Sequence, residues 1–463
     1  MTVLHDMTAA DLLAAYKAKK LSPVEAVDAV IARVEAWEPR IKALYAPDFE
    51  GARRQAKASE KRWQQGAPQG ALDGVPITIK ENIATKGVPV PLGTAATELV
   101  PAAADAPAAA RVREAGAAIL AKTTMPDYGM LSSGRSSFHP LTRNPWNLAW
   151  NPGGSSAGAG AAAAAGYGPL HLGTDIGGSL RLPASWNGIF TLKPSLGRVP
   201  VDPPYLGRAV GPMTRTVADS ALLMAELSRP DPRDHMSLPP VDIDWSAGPL
   251  APKGLKIGLH LDAGSGLPVD AEVKAAIEAA AKLLAEAGAT VEPVAPFLSP
   301  EMLHLQDLFW RVRSWVDFSA LSHARQASVL PFIADWCRGG ADVSGVMVIK
   351  AVNNYMAIRA ATVKATLGFD YVLSPVSPVP TYPAEWETPT NDVKRPLEHI
   401  SFTMPFNMSE QPAASINCGY TNEGKPIGLQ IAGRRFDDLG VMRLSRWFET
   451  ARPPQKKWPE PPK

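Results

Sequence analysis

The stretch whose reading decides the fold runs Asn151-Pro152-Gly153-Gly154-Ser155-Ser156-Ala157-Gly158-Ala159-Gly160, passes through a run of alanines, and resumes as Gly173-Thr174-Asp175-Ile176-Gly177-Gly178-Ser179-Leu180-Arg181. It sets two serines, Ser155 and Ser179, each directly after a pair of glycines. Glycine admits positive φ and lets a ligand approach the main chain closely, so each serine can be displayed in a tight turn among bare N–H groups. That geometry suits an exposed nucleophile beside an oxyanion site. The alanine-rich run predicts a buried helix over 157–165 that fixes the separation of the two turns.

Upstream, Asp73-Gly74 marks a turn and Val75-Pro76-Ile77-Thr78-Ile79 reads as a short buried strand, with Lys80 directly after it and then Glu81-Asn82. A helix is predicted from about 105 to 116, strands over 118–122 and 169–173, and a helix over 213–227. This alternation is the pattern of an α/β domain whose sheet is covered by helices on both faces. The first seventy residues read as a helical arm packing on the core or on a partner protomer. Its clearest signal is the capping box Ser22-Pro23-Val24-Glu25, followed by Val27, Val30, Ile31 and Val34 at helical spacing.

Residues 228–254 form a Pro/Asp-rich connection. A strand over 255–261, a capped helix from Val269 and a strand over 290–294 then make a β-α-β unit. Residues 301–366 read as helical, with Trp310, Trp315 and Trp336 serving as core and the segment as a candidate cap over a pocket. Short strands return over 370–374, 414–418 and 428–433. The organisation expected is an arm over 1–70, a core over 71–230, a variable region over 231–370 and a C-terminal part over 371–463 that completes the sheet, together one large domain.

Composition bounds the function. The 463 residues are 46% apolar, enough for a sizeable core. The net charge of +2, from 47 basic and 45 acidic residues without long like-charge blocks, offers no footprint for nucleic acid or an anionic membrane. No stretch reaches the roughly eighteen apolar residues of a membrane span, and the first twenty residues lack a signal-peptide pattern. Two cysteines, Cys337 and Cys418, lie far apart and outside any C-x-x-C pattern, which argues against a disulfide framework or a zinc site. A cytoplasmic, reducing compartment fits.

The chemistry turns on three residues. Successive amides of the Asp175 to Ser179 turn can converge on one oxygen and stabilise a tetrahedral oxyanion. A serine still needs a base. None of the eight histidines stands in a glycine-flanked turn, and no G-x-S-x-G elbow is present. Lys80 is the better candidate, because the apolar strand before it supplies the burial that keeps a lysine neutral. Ser155 can stand between Lys80 and Ser179 and pass a proton along. The glycine turns match neither a P-loop nor a dinucleotide fingerprint.

With these residues in view, the run from Asn151 to Gly197 resembles the amidase signature family. The match is carried by Gly153-Gly154-Ser155-Ser156, by Gly173 through Ala184, by Gly188 and by Leu192-Lys193-Pro194. It extends to Gly74 through Lys80, Gly211 through Asp219, Pro375 and Pro426 through Ile431. Lys80 precedes Ser155 by 75 positions and Ser155 precedes Ser179 by 24, the separations of the family's Ser-cisSer-Lys triad.

The resemblance implies a mixed central sheet with helices on both faces, in an enzyme that hydrolyses linear amides. It implies Ser179 as acyl-enzyme nucleophile, Ser155 as relay across a cis peptide bond, and Lys80 as base. The amides of Ile176, Gly177 and Gly178, with that of Ser179, would form the oxyanion hole. Ser156, Asp175 and Arg181 would support the loops, and Tyr128, Gly129, Met130 and Leu131 would line the substrate pocket. Glu81, Thr124 and Ala157 depart from the residues commonest in the family, and none of them belongs to the triad.

The expected substrate is a small-molecule amide, with the tryptophans and prolines of 300–390 favouring a bulky or aryl one. Carbamates and esters would satisfy the same machinery. No cofactor or metal is required, and a monomer or homodimer is expected. A further alternative is the glutamine-hydrolysing subunit of a tRNA-dependent amidotransferase. Where such subunits resemble Asp-Ile-Tyr-Thr-Ile-Pro, however, this chain reads Ile400-Ser401-Phe402-Thr403-Met404-Pro405, without the acidic residue.

Overall fold

The strand after Asp73-Gly74 forms as its residues demand, and it sits third in a single sheet of eleven. In the computed structural model, which describes residues 3–462, the strands are β1 (Leu44–Tyr45), β2 (Pro76–Lys80), β3 (Ala118–Thr123), β4 (Leu170–Asp175), β5 (Phe190–Lys193) and β6 (Ala209–Thr214). They continue as β7 (Lys256–Leu259), β8 (Thr290–Pro293), β9 (Tyr371–Pro375), β10 (Ala413–Tyr420) and β11 (Pro426–Gly433). Their spatial order is β1-β3-β2-β4-β6-β5-β10-β11-β9-β7-β8. The sheet is mixed: β3, β2 and β4 run parallel, as do β9, β7 and β8, and the strands between these sets are antiparallel.

Every residue of β2, β3, β4, β5, β6, β9 and β11 is buried. Successive side chains of a strand point to opposite faces, so unbroken burial means that both faces of the sheet are covered. The fold class is the expected α/β one. Because β2, β3 and β4 are parallel, their C-terminal ends gather at one edge of the sheet: Lys80 pairs with Thr123, and Asp175 ends β4. In open α/β sheets ligands bind outside such strand ends.

The helix Ala157–Ala165 contains only alanine and glycine, and all nine of its residues are buried. Small side chains let it lie against β2, β3, β4 and β6 at once. At Gly158 the fit leaves no room for a Cβ, which would collide with the Ala43 carbonyl and the Thr124 amide.

The arm forms as three helices, Ala9–Lys17, Pro23–Ile41 and Phe49–Gln64, and the Ser22 capping box makes both of its hydrogen bonds. Val27, Val30, Ile31 and Val34 pack with Ala161, Ala162 and Ala165 of the alanine helix. The β-α-β unit is present, with β7 and β8 parallel and the helix Ala271–Glu286 between them. Trp310 and Trp336 are buried in a second apolar cluster with Trp186, Leu131 and Leu182, and Trp315 packs on it half-buried.

Two boundaries are corrected. Met213 and Thr214 belong to β6, since Met213 pairs with His171 of β4 and Thr191 of β5, and pairing on both sides outweighs their helical spacing. The helix begins at Val217, where the Thr216 hydroxyl accepts from the Asp219 N–H. Lys80 is the last residue of β2 rather than the first residue after it.

Candidate active site

Strand pairing fixes the backbone of Lys80 and leaves its side chain fully buried. Its Nζ lies 2.8 Å from Ser155 Oγ, 3.0 Å from Ser156 Oγ and 2.9 Å from Thr174 Oγ1. Burial lowers its pKa to about 7, against the opposing charges of Asp175 and Glu81 and with help from Arg208. The amine has three hydroxyl neighbours and no carboxylate within ion-pair distance among the described residues.

Ser155 and Ser156 are held by the loop entering the alanine helix, where the Gly154–Ser155 peptide is cis. Ser156 is the N-cap residue of that helix, yet its hydroxyl makes no cap bond. Instead it accepts from Lys80 and donates to the Thr174 carbonyl at 3.2 Å. Asn82 Nδ2 donates to Thr174 Oγ1 at 3.2 Å.

Ser179 sits half-buried in the turn between β4 and the helix Arg181–Asn187. Its carbonyl accepts from the Ser156 N–H at 3.2 Å, which ties the two serine loops together through the backbone. Its Oγ has no hydrogen-bond partner among the described residues. The expected bond from Ser155 to Ser179 is therefore not formed in this state, whereas the Lys80 to Ser155 half of the relay is.

Asp175 organises the turn. Its carboxylate accepts from the Gly178 N–H at 2.8 Å, the Leu180 N–H at 3.1 Å, two nitrogens of Arg181 at 3.0 Å each, and Asn407 Nδ2 at 2.9 Å. Burial by itself would raise this carboxyl, but the charge and hydrogen bonds of Arg181, the Asn407 bond and the Lys193 charge hold it well below the usual carboxylate range. Arg181, buried with it, also donates to the Thr403 carbonyl at 2.9 Å, Gln430 Oε1 at 2.8 Å and Asn407 Oδ1 at 2.6 Å.

These bonds occupy one of the amides expected as oxyanion donors. The Gly178 amide is committed to Asp175, while the amides of Ile176, Gly177 and Ser179 donate to no acceptor among the described residues. Trp310 closes over the turn: a Cβ on Gly177 would sit 3.1 Å from its ring carbon Cη2.

A narrow, open cavity leads to Ser179, Ile176 and Gly177. Gly129, Met130 and Leu131 form one wall, as expected, and Leu182, Trp310, Leu397 and Ile400 supply the rest of the apolar surface. Tyr128 is not on the wall; it packs against the second apolar cluster. Ser132 and Arg313 complete the lining. Ser132 falls in the stretch 128–133 whose resemblance pointed to the pocket lining, whereas Thr174, Asn82, Arg313, Leu397, Asn407 and Gln430 were missed as site residues. Thr174 and Gln430 stand in the quoted motifs, but nothing in their spacing says which atoms they reach. Arg313 lies on the helix Pro300–Ser319, in a region without a motif. Among the described residues no His, Cys, Asp and Glu side chains cluster to hold a metal, and no helix is long and apolar enough to cross a membrane.

Comparison with known proteins places the chain in a family. The family model described as Amidase matches residues 25–442. Acylamidase from Rhodococcus erythropolis is 32% identical over 469 residues, covering 98% of both chains. A glutamyl-tRNA(Gln) amidotransferase subunit from Myxococcus xanthus is 33% identical over 487 residues, covering 96% of this chain and 97% of the relative. Among solved structures, a bacterial aryl acylamidase of the amidase signature enzymes superposes with a TM-score of 0.90 at 31% identity, covering 97% of each chain. The 6-aminohexanoate cyclic dimer hydrolase, complexed with substrate, superposes with a TM-score of 0.88 at 26% identity and 99% coverage of each. The chain belongs to the amidase family.

Proposed function

We propose that the protein hydrolyses the C–N bond of a bulky or aryl amide through an acyl-enzyme on Ser179, with Ser155 as proton relay and Lys80 as base. The observation that carries this reading is the buried Lys80 amine 2.8 Å from Ser155 Oγ, whose burial lowers its pKa to about 7 and so makes the neutral form available at physiological pH. A neutral amine has two N–H donors and one lone pair. Ser156 spends its proton on the Thr174 carbonyl and so accepts an N–H of the lysine. Ser155, whose hydroxyl has no other partner among the described residues, has its proton free to meet the lone pair, with Thr174 Oγ1 taking the second N–H in that arrangement.

In the reaction Ser179 Oγ attacks the carbonyl carbon, its proton passes to Ser155 Oγ, and the Ser155 proton passes to Lys80 Nζ. The free amides of Ile176, Gly177 and Ser179 receive the oxyanion. The C–N bond then breaks as the same chain of groups returns a proton to the departing amine, and water, deprotonated by the same route, releases the acid. The Ser179 to Ser155 bond is the one this mechanism requires substrate binding to complete, a tightening commonly left to that step.

The apolar cavity walls favour an aryl or alkyl group over a small polar one, in keeping with the acylamidase relatives. Carbamates and esters fit the same scheme. The amidotransferase reading is supported by full-length similarity to such subunits. Purified protein alone should cleave an aryl anilide and leave glutamine untouched. Turnover of glutamine, with none of the anilide, favours the amidotransferase role; preference for an aryl carbamate or ester in the same panel reassigns the bond cleaved.

A further inference from the structure

Arg313 lines the same cavity as Ser179, in a wall otherwise apolar apart from Ser132 and the serine turn. It pairs with no carboxylate among the described residues; its one side-chain hydrogen bond is a 3.5 Å contact from Nη2 to Met130 Sδ. Arg208 stands beside it. The two guanidinium groups share one aromatic ring, Tyr205, at 5.0 Å for Arg313 and 5.5 Å for Arg208. Arg208 likewise has no acidic partner among the described residues, its side-chain bond running to the Pro203 carbonyl at 3.2 Å. Burial, and then the Arg313 charge, lower the Arg208 pKa, so the two cations feel one another.

Two partly buried guanidiniums side by side without a counter-charge are unfavourable in the empty protein, and each keeps most of its N–H donors unspent. An anion at the cavity wall would offset the repulsion and accept a forked pair of hydrogen bonds from Arg313. Arg181, Arg198 and Arg215, also drawn into the protein, are paired with Asp175, Asp438 and Asp6, whereas the partly buried Arg452, away from this cavity, donates to the Asn417 carbonyl at 2.7 Å. Arg313 is left free where substrate enters.

We infer that Arg313, backed by Arg208 across Tyr205, is a specificity-determining residue that binds a carboxylate carried by the amide substrate. This rests on the amidase reading above and narrows it: the substrate is an apolar or aryl amide with an acidic group. The group transferred and the bond broken are unchanged.

The test measures binding without turnover, using Ser179→Ala protein and calorimetric titration. Two matched pairs bracket the position of the charge: succinanilate against butyranilide, with the carboxylate on the acyl side, and 4-acetamidobenzoate against acetanilide, with it on the amine side. The acidic member of at least one pair should bind about tenfold or more tighter, the range for charge-assisted hydrogen bonds. That preference should collapse toward one in Ser179→Ala/Arg313→Met, survive in part in Ser179→Ala/Arg313→Lys, and shrink with added salt. No preference in either pair, or a preference indifferent to Arg313→Met, overturns the proposal and leaves the arginines as a packing element around Tyr205. The amidase reading is judged separately, by hydrolysis of the neutral anilides in the unsubstituted enzyme.

Discussion

At the level of single residues, the proposed chemistry depends on a lysine made neutral by its surroundings. With a pKa of about 7, Lys80 is the competent base only above that pH. Activity in the free enzyme, read as kcat/KM, should rise with pH through an inflection near 7 and then level. A profile flat from pH 5 to 9 rejects Lys80 as base. Lys80→Met should lower kcat/KM by orders of magnitude with circular dichroism unchanged. Asp175 and Arg181 act at one remove, by holding the turn that presents Ser179. Both are fully buried, so Arg181→Met strands a charge and should cost about 3–5 kcal/mol in urea unfolding, with activity falling as the turn relaxes. Lys80, Ser155 and Ser179 could be singled out in the sequence because their motifs are long and their spacing matches the family's to the residue. The partners that tune them were not: Asn407 and Gln430 come from beyond residue 400, and only tertiary packing brings them to Arg181.

Among the elements, the alanine helix carries the heaviest constraint. It meets four strands and the arm, and Gly158 touches backbone atoms that cannot move aside. Gly158→Val should destabilise the protein by about 1–3 kcal/mol or more, the usual range for overpacking, seen as a lowered Tm. A Tm within error of the parent would mean that the helix is less tightly seated than described. The helix was readable from composition, as was the strand before Lys80. Strand β6 went unread because Met213 continues the apolar spacing of the helix after it. The two-residue β1 carries no periodic signal; it exists because Leu44 and Tyr45 meet Thr123 and Lys122 across the sheet edge.

For the molecule as a whole, burial of charge sets the pH response. Lys80, Lys122 and Lys193 are each lowered to about 7 by burial, so the folded state binds fewer protons than the unfolded chain between about pH 7 and the ordinary lysine value. Stability should therefore rise with pH from about 7 to about 9. From about pH 9 upward this rise is opposed, because burial pushes the Cys337 and Cys418 thiols up to about 12 and raises the Tyr16, Tyr355 and Tyr371 hydroxyls, and it reverses once the tyrosines and lysines of the unfolded chain also lose their protons. Below pH 7 two effects oppose each other. Asp219, raised to about 7 by burial, loses its stabilisation as pH climbs from the ordinary aspartate value, while the buried neutral His171, His260 and His399, all lowered by burial, gain theirs. The decisive window is therefore pH 7 to 9, where urea midpoints should climb; a fall across it contradicts the assignment of buried, neutral lysines.

The central claim is that Ser179, and not Ser155, becomes acylated. Reaction with a serine-directed fluorophosphonate followed by peptide mass spectrometry tests it directly. The account predicts one adduct per chain on Ser179, lost in Lys80→Met and in Ser179→Ala. An adduct on Ser155, or none on folded protein that still hydrolyses an anilide, contradicts it.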